Sequence, residues 1–313
     1  EYAKKSSLKC MNINAPQAYF IKLGESGRWE SECLANGYMR VGFKDVPHDL
    51  CAEKKWAEIN KIYFNKGEPK GNATRYATEL ERFYASPADI MWITFSDGKL
   101  WWGFAEGEVY SEADTKKRKI KNGWQSADAN GKELLIGEIS SRLTQVRGYQ
   151  GTICKVKQLE YLLRKINGQT LHEVQVATTA KAELLKALGP VIRQLDWKDF
   201  EDLVDMTFTA GGWRRIGGVG GSEKDIDLEL QQPVTGETVM VQVKSRCSPQ
   251  IVREISKANS GKKQYERIFV VTHSFDGKIP DDVEPRLHVL DVDRLANLVL
   301  DAGLTGWVIE KSK

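Results

Sequence analysis

The sequence predicts two folded parts: an α+β N-terminal module resembling a small barrel, and a C-terminal α/β domain with a mixed sheet flanked by helices. The length of 313 residues is typical of about two domains. In the first half, short aromatic strands alternate with helical segments. The second half has the order helix, hairpin, helix, strand, strand, helix, which is typical of a layered α/β sheet. We therefore expect the module at 1–150, a helical connector at 151–190 and the second domain at 191–313.

Composition excludes several classes of protein. Charged residues make up 28% and hydrophobic residues 41% of the chain, as in ordinary globular proteins. The formal net charge of +3 gives no global basic field, so any nucleic-acid contact must depend on local clusters. The 5 cysteines include no CxxC pair, which disfavours a structural zinc site and favours a cytoplasmic location. No apolar run approaches the ~20 residues of a membrane span, so no membrane partner is expected.

The N-terminal module shows strand patterns at 18–23, 38–43, 89–95 and 100–105, with helical patterns at 50–64 and 72–84. Asp97-Gly98 between two of these strands is a strong hairpin signal. Tryptophans recur through the module, which suggests a barrel with an aromatic pocket. The alternative is that these rings fill a modest core, as large aromatics usually do.

The C-terminal domain is preceded by two helical patterns, the second at 179–188 and closed by Gly189-Pro190. A further helix is predicted at 196–208, with an apolar stripe that includes Phe200 and Val204. Glu201 borders this stripe, where a free carboxylate is out of place. We therefore expect Glu201 to be buried or to face a cleft, although acids beside an apolar stripe are common.

A β-hairpin is the most informative stretch of this domain. Apolar and polar residues alternate at 225–230 and again at 239–244, and a Pro- and Gly-containing segment joins the two. If the turn is centred on Thr235-Gly236, Leu228 faces Val243 and the apolar faces match. The same register places Asp227 opposite Lys244, and Glu229 opposite Gln242.

This register gathers a carboxylate, an amide oxygen and an ammonium on one face of the sheet. Carboxylate and amide oxygens suit a hard cation such as Mg²⁺ (or Mn²⁺), which keeps several of its waters. A neighbouring lysine can neutralise charge that develops on a phosphate. The alternative is an ordinary cross-strand Asp–Lys pair on the surface, worth roughly 0.2–1 kcal/mol.

Asp227 followed by Gln242-Val243-Lys244, after the glycine-rich segment 217–222, resembles the PD-(D/E)xK nuclease superfamily. Within it, the pattern is most similar to the Mrr-like restriction endonucleases, in which glutamine replaces the usual acid two residues before the lysine. The resemblance implies that Asp227 binds the metal, that Gln242 occupies the second motif and that Lys244 is the catalytic lysine. The backbone carbonyl of Val243 would also face the metal.

Two acids qualify this assignment. The resemblance implies that Glu201, in the Phe-Glu pair of the preceding helix, helps to complete the metal site. Asp225 competes with Asp227 because both lie on the same face of the predicted strand. The predicted register places Asp225 opposite Arg246, which favours Asp227.

The first half resembles the PUA-like/EVE-like modules found at the front of modification-dependent restriction enzymes. The similar segments lie at 19–24, 37–43, 83–92 and 102–110. Such modules take an extruded base into a pocket of aromatic rings and read its edge by hydrogen bonds. The resemblance makes five residues candidates for reading a base: Trp29, Trp92, Trp101, Trp102 and Phe43.

Contacts with the DNA backbone are expected at local basic clusters. The strongest run lies at 116–121, where Lys116, Lys117, Arg118 and Lys119 could contact phosphates. The alternative is a solvated loop. Arg214 and Arg215, just before the glycine-rich segment, are the other candidates.

Together with these patterns, the two resemblances imply a Mg²⁺-dependent endonuclease that cuts double-stranded DNA carrying modified bases. Such a modification-dependent, type IV-like restriction enzyme would act in defence against foreign or phage DNA. A homodimer would allow both strands to be cut, since one active site cuts one strand. The alternatives are a modified-DNA reader whose nuclease fold is inactive, and a nuclease of repair or RNA processing.

Overall fold

The computed structural model of the protein describes residues 12–216 and 226–313. The chain divides into two compact units, Glu1–Leu171 and His172–Lys313, here called the N-terminal unit and the C-terminal unit. The boundary falls inside the segment 151–190 that was predicted as a connector. Within the described residues, no helix is both long enough and apolar enough to cross a membrane.

The N-terminal unit contains six strands and six α-helices in its described part. The strands are β1 (Ala18–Ile21), β2 (Tyr38–Val41), β3 (Met91–Ser96), β4 (Lys99–Glu112), β5 (Thr115–Ile120) and β6 (Ile153–Lys155). The helices are α1 (Glu30–Asn36), α2 (His48–Ala52), α3 (Trp56–Asn65), α4 (Lys70–Ala85), α5 (Ser141–Thr144) and α6 (Leu159–Ile166).

These strands form one six-stranded sheet in the order β2-β5-β4-β3-β1-β6. The prediction of a barrel is not met, because β2 and β6 end the sheet and do not pair with each other in the described part of the chain. The long strand β4 pairs with β3 through its first half and with β5 through its second half. A bulge between Glu106 and Tyr110 separates the β5 pairings of β4, and a bulge increases the local twist of a strand.

The predicted Asp97-Gly98 hairpin is confirmed. Ser96 pairs with Lys99, and both turn residues have positive φ, 52° at Asp97 and 69° at Gly98. Two left-handed residues in a two-residue loop match the twist of antiparallel strands, and Asp-Gly accepts that conformation readily.

The C-terminal unit contains five strands and five helices in its described part. The strands are β7 (Arg214–Arg215), β8 (Leu228–Gln231), β9 (Thr238–Cys247), β10 (Arg267–Phe275) and β11 (Leu287–Leu290). The helices are α7 (His172–Ile192), α8 (Trp197–Ala210), α9 (Pro249–Asn259), α10 (Val292–Asp301) and α11 (Thr305–Lys311).

The predicted mixed sheet of this unit is confirmed. Its order is β11-β10-β9-β8-β7, in which β9, β10 and β11 are parallel and β7, β8 and β9 are antiparallel neighbours. Leu228, Val241 and Val243 belong to the core cluster that includes Phe200 of α8. Met240, on the other face, packs in a second cluster with residues of α9 and β10. Helices therefore cover both faces of the sheet.

The helix predicted at 179–188 is longer than expected. Helix α7 runs from His172 to Ile192 and continues through Gly189 and Pro190. Proline removes one backbone donor from the helix. Leu188 and Ile192 are buried in the core on either side of that position, so tertiary packing outweighs the local signal to stop.

Candidate active site

The β8–β9 hairpin is present, but its predicted register is wrong by two residues. Leu228 pairs with Val241, and Leu230 pairs with Val239. The Gln232 amide donates to the Glu237 carbonyl at 2.8 Å, so the turn is centred one residue earlier than predicted. A shift of two preserves the side-chain faces, because strand side chains alternate with a period of two.

The corrected register changes the neighbours of Asp227. Continuing it by one residue places Asp227 opposite Gln242 rather than Lys244, and Glu229 pairs with Met240 rather than Gln242. The Asp227 amide donates to the Val241 carbonyl at 3.2 Å. Asp225, the competing acid, lies outside the described residues.

The Asp227 carboxylate is bound to the neighbouring strand. Its Oδ2 accepts the amide N–H of Val243 at 2.6 Å. A hydrogen bond between a backbone amide and an ionised carboxylate is stronger than one between neutral groups. Among the described residues, Asp227 Oδ1 has no hydrogen-bond partner. One carboxylate oxygen thus positions the side chain and the other is available to a ligand.

Gln242 is the most unusual polar residue of this group. Its side chain is buried, with 5% of its surface exposed, and its Oε1 has no hydrogen-bond partner in the described structure. Leaving a buried acceptor unsatisfied costs about 1–3 kcal/mol. A cation bound beside Asp227 would satisfy this oxygen.

The donor set fits a hard divalent cation. Mg²⁺ prefers oxygen ligands and is often held by only one or two protein groups, with waters completing its shell. In the described parts of the chain, no three His, Cys, Asp or Glu side chains are grouped suitably for a metal ion. Asp227 and Gln242 supply one carboxylate and one amide, so they fit Mg²⁺ better than a zinc site with three or four protein ligands.

Lys244 lies two residues after Gln242 on the same strand and therefore shares its face. Its side chain is half-buried and forms no ion pair with the described residues. Burial raises the pKa of the nearby Cys247 thiol, while the hydrogen bond with the Ser248 backbone and the Lys244 charge act in the opposite direction. An ammonium without a carboxylate partner is available to an anionic ligand.

Arg215 holds the backbone of Asp227 in place. Its Nη2 donates to the Asp227 carbonyl at 3.1 Å, and its Nη1 lies 3.5 Å from the carboxylate of Asp205 on α8. The arginine thus ties the short β8 strand to α8. Sequence patterns gave no sign of this, because they predicted Arg215 only as a phosphate contact. Arg214, the neighbouring candidate, is exposed.

Glu201 is not brought into this group. Its carboxylate lies 3.3 Å from Lys198 Nζ on the same helix, and 28% of its side chain is exposed. Helix α8 packs against the sheet face that carries Leu228 and Val241, which is opposite to the face of Gln242. The predicted apolar stripe of α8 packs in the core, but Glu201 lies at its edge and is neither buried nor in contact with Asp227.

An aromatic cavity of about 410 Å³ lies in the N-terminal unit. Of the five base-reading candidates, Trp29 and Phe43 line it, together with Tyr76, which the sequence did not single out. The guanidinium carbons of Arg28 and Arg40 lie 4.4 and 4.7 Å from the centroid of the Trp29 ring. Cation–π contacts of this kind hold an aromatic ring in one orientation.

The other three candidates lie elsewhere. Trp92 is fully buried and packs against Tyr19 and Phe83, so it belongs to the core. The indole N–H groups of Trp101 and Trp102 donate to the backbone carbonyls of Ser96 and Ala127. The positions of these three tryptophans agree better with a structural role than with contact to a base.

The basic run forms strand β5 rather than a loop, and the structure buries most of it. Lys116, Lys117 and Arg118 are 2%, 4% and 7% exposed, whereas Lys119 is exposed to solvent, as is Lys121 just after the strand. Lys116 donates to the Phe43 carbonyl, and Arg118 donates to the carbonyls of Phe83 and Ser86. The cationic groups of Lys116, Lys117 and Arg118 contact carbonyl or carboxylate oxygens of the protein itself, so they are not available to DNA phosphates.

Lys117 shows why this run can be buried. Its Nζ lies 2.7 Å from Glu112 and 3.4 Å from Glu32, and 4.5 Å from the centroid of the Tyr38 ring. Burial lowers the pKa of Lys117, but hydrogen bonds to Glu112 and Tyr38 more than compensate, so its pKa is raised. The charge is therefore retained, and it joins β5 to β4 and α1.

Replacing Asp227 tests the hydrogen bond that it accepts. Asp227→Ala leaves the Val243 amide without its acceptor, and we expect a loss of about 1–3 kcal/mol in the free energy of unfolding. Asp227→Asn keeps an acceptor oxygen and should lose less than half of that. Hydrogen exchange of the β9 amides, followed by mass spectrometry, should accelerate in Asp227→Ala and much less in Asp227→Asn. Unchanged β9 exchange in Asp227→Ala would contradict the contact.

Comparison with known proteins covers part of the chain. Residues 192–299 match the family model Mrr_cat, described as "Restriction endonuclease". The solved structure "MspJI Restriction Endonuclease in Complex with 27-mer Oligonucleotide" is 13% identical, with a TM-score of 0.24, and covers 88% of this chain and 73% of that chain. This TM-score is too low to infer a common fold. No curated protein gives a significant match. The family match spans Asp227, Gln242 and Lys244, and confirms the resemblance of the C-terminal unit to the Mrr-like restriction endonucleases.

Proposed function

We propose that the protein is a restriction endonuclease that hydrolyses DNA phosphodiester bonds with the help of Mg²⁺ or Mn²⁺. The observation that carries the proposal is the unsatisfied, buried Oε1 of Gln242 beside the Asp227 carboxylate. Gln242 shares a sheet face with Lys244, which has no ion-pair partner in the described structure. The match of residues 192–299 to a restriction endonuclease family supports the same function.

The chain's own groups have distinct roles in this proposal. Asp227 Oδ1 and Gln242 Oε1 would hold the cation, with the backbone carbonyl of Val243 as a third candidate. When bound, a divalent cation neutralises charge on the scissile phosphate and makes water a better nucleophile. The Lys244 ammonium would stabilise the negative charge that grows on the phosphate oxygens. Glu201 has no part in the site as proposed, because it faces Lys198 on the other side of the sheet.

We further infer that the N-terminal unit reads a modified base, which would make cleavage modification-dependent and suit defence against foreign DNA. The aromatic cavity supports this inference, because its volume of about 410 Å³ lies in the usual range for ligand sites. Trp29, Phe43 and Tyr76 offer ring surfaces to an extruded base, and Arg75 and Lys22 lie in the same lining. A pair of such chains would be needed to cut both DNA strands.

The neutral side chain of Gln242 favours a second candidate function. Gln242 contributes no charge, so the site has one carboxylate fewer than a site with an acid at this position. The affinity for a cation decreases when its ligands carry less negative charge. The chain could therefore be a modified-DNA reader that does not cut. The two functions differ in one property, which is metal-dependent cleavage.

Cleavage of DNA by the full chain tests the proposed site. With Mg²⁺, wild type should cut duplex DNA, while Asp227→Asn and Lys244→Met should each be slower by about 100-fold or more, since each removes a group that stabilises the transition state. Glu229→Gln, two residues after Asp227, and Lys257→Met, an exposed lysine of α9, are matched controls that should keep full activity.

The possible outcomes separate the candidates. Equal cleavage by wild type and both site variants would contradict the site. Wild type that binds modified DNA but does not cut it with Mg²⁺ or Mn²⁺ would identify the inactive reader. Faster cutting of RNA than of any DNA would instead favour a nuclease of RNA processing.

Base reading by the aromatic cavity is tested by comparing an unmodified duplex with duplexes that carry methylated or hydroxymethylated cytosine, or methylated adenine. We expect wild type to prefer one modified duplex, and Trp29→Leu to lose that preference because it removes an aromatic wall of the cavity. Trp101→Leu makes the same substitution outside the cavity and should retain the preference. Equal binding of all duplexes by wild type would refute the reader while leaving the nuclease untouched.

A further inference from the structure

A second cavity of the N-terminal unit is strongly basic. It has a volume of about 580 Å³ and lies beside β6, so it is named the β6 groove. Four of its lining residues are cationic: Arg82, Arg142, Lys155 and Lys157. No aspartate or glutamate lines it, although the whole chain has nearly as many acids as bases, 43 against 46. The charge of this surface is thus a local feature.

Three of these cations are not neutralised by the protein. Arg142, Lys155 and Lys157 are exposed, and their side chains form no ion pair in the described structure. Their situation is opposite to that of Lys117, whose charge two glutamates neutralise. Unpaired cations around a concave surface produce a positive potential that attracts anions.

The fourth cation is fixed. Arg82 donates to the carbonyl of Ile153 at 3.1 Å, and its guanidinium carbon lies 5.4 Å from the centroid of the Tyr19 ring. Gln145 and Gln158 add neutral hydrogen-bonding side chains to the lining, whereas the Tyr149 hydroxyl already donates to the buried Glu79 carboxylate. The groove therefore combines one positioned guanidinium, three extended cations and several polar groups, which is a suitable set for phosphate oxygens.

Protection of a strand edge explains only part of this arrangement. Strand β6 ends the sheet, and a lysine on an edge strand discourages pairing with another chain. Edge protection accounts for Lys155, which belongs to β6. It does not account for Arg142 on α5 or for Lys157 beyond the strand. Cations from α4, α5 and the segment 155–157 therefore converge on the groove.

We propose that the β6 groove binds the sugar–phosphate backbone of the DNA that the N-terminal unit reads. The ligand is taken to be DNA on the basis of the proposed function. The groove provides the phosphate contacts that the buried run of β5 cannot supply. It contacts phosphates rather than base edges, so it contributes affinity without sequence preference.

The test uses the full chain with Arg142, Lys155 and Lys157 all changed to Gln, called the groove variant. Its affinity for an unmodified duplex is measured in Ca²⁺ at several salt concentrations. Removing three phosphate contacts should reduce the slope of log K against log salt by about 2.7, since each contact contributes ~0.9. The affinity at low salt should fall by about tenfold or more.

The control variant carries the same change at Lys54, Lys61 and Lys70, which are exposed lysines of the N-terminal unit outside the groove. It has the same net charge as the groove variant and should keep the slope and affinity of wild type. Equal losses in both variants would show a general charge effect and overturn the groove.

Cleavage distinguishes the two proposals. The groove variant should cut DNA with a raised KM and an unchanged kcat, since its substitutions lie outside the catalytic group. If wild type binds DNA and the groove variant binds it equally well, the groove is wrong while the nuclease stands. If wild type does not bind DNA at all, both proposals fail. A loss of affinity for single-stranded RNA alone would also overturn the groove as a DNA site.

Discussion

The hydrogen bond between the Val243 amide and the Asp227 carboxylate is the contact on which the candidate active site depends. At 2.6 Å it joins the start of the short strand β8 to the middle of β9. It fixes the aspartate beside Gln242 and leaves the other carboxylate oxygen available. Arg215 supports the same residue from the opposite side by binding its backbone carbonyl. Without these two contacts, Asp227 would be held beside β9 only by the hydrogen bond from its amide to the Val241 carbonyl.

Much of the C-terminal fold could be predicted because its signals are local. Alternation at 225–230 and 239–244 located both strands, and it placed Leu228, Leu230 and the valines of β9 on the correct face. Ile226, predicted on that same face, lies before β8 and packs with Met240 in the cluster of the other face. The register could not be obtained in the same way, since it depends on which residues of the segment 232–237 form the turn. A displacement of two residues preserves every face and so leaves no trace in the hydrophobic pattern. It nevertheless places Gln242, rather than Lys244, opposite Asp227 when the Leu228–Val241 register is continued by one residue.

Long-range partners explain most of the remaining differences. A run of cations is typical of a solvated loop, but β5 is buried because Glu32, Glu112 and several backbone carbonyls receive its charged groups. Pro190 is a local signal to end a helix, and α7 continues because Leu188 and Ile192 pack in the core. Glu201 met a sequence criterion for a buried acid, yet its partner Lys198 lies one turn away on the surface of α8. In the first two cases, contacts with residues distant in sequence decide the outcome, whereas Glu201 is held at the surface by a neighbour on its own helix.

The N-terminal unit contains two kinds of basic residue, buried and unpaired, and we propose different roles for them. Buried cations hold the sheet together, whereas unpaired cations line the β6 groove and arginines accompany the aromatic cavity. Phosphate binding, base reading and hydrolysis would then be carried out by different groups of residues. Such a separation allows each property to be altered without loss of the others, which single substitutions can establish.

We propose that Gln242 Oε1 and Asp227 together hold the catalytic cation. The Mg²⁺ concentration that gives half-maximal DNA cleavage tests it most directly, measured for wild type, Gln242→Glu and Gln242→Leu. Adding a ligand charge at this position should lower that concentration by about tenfold, and removing the oxygen should raise it by a similar factor. The same half-maximal concentration in all three proteins would contradict the claim, because Gln242 would then not be a ligand.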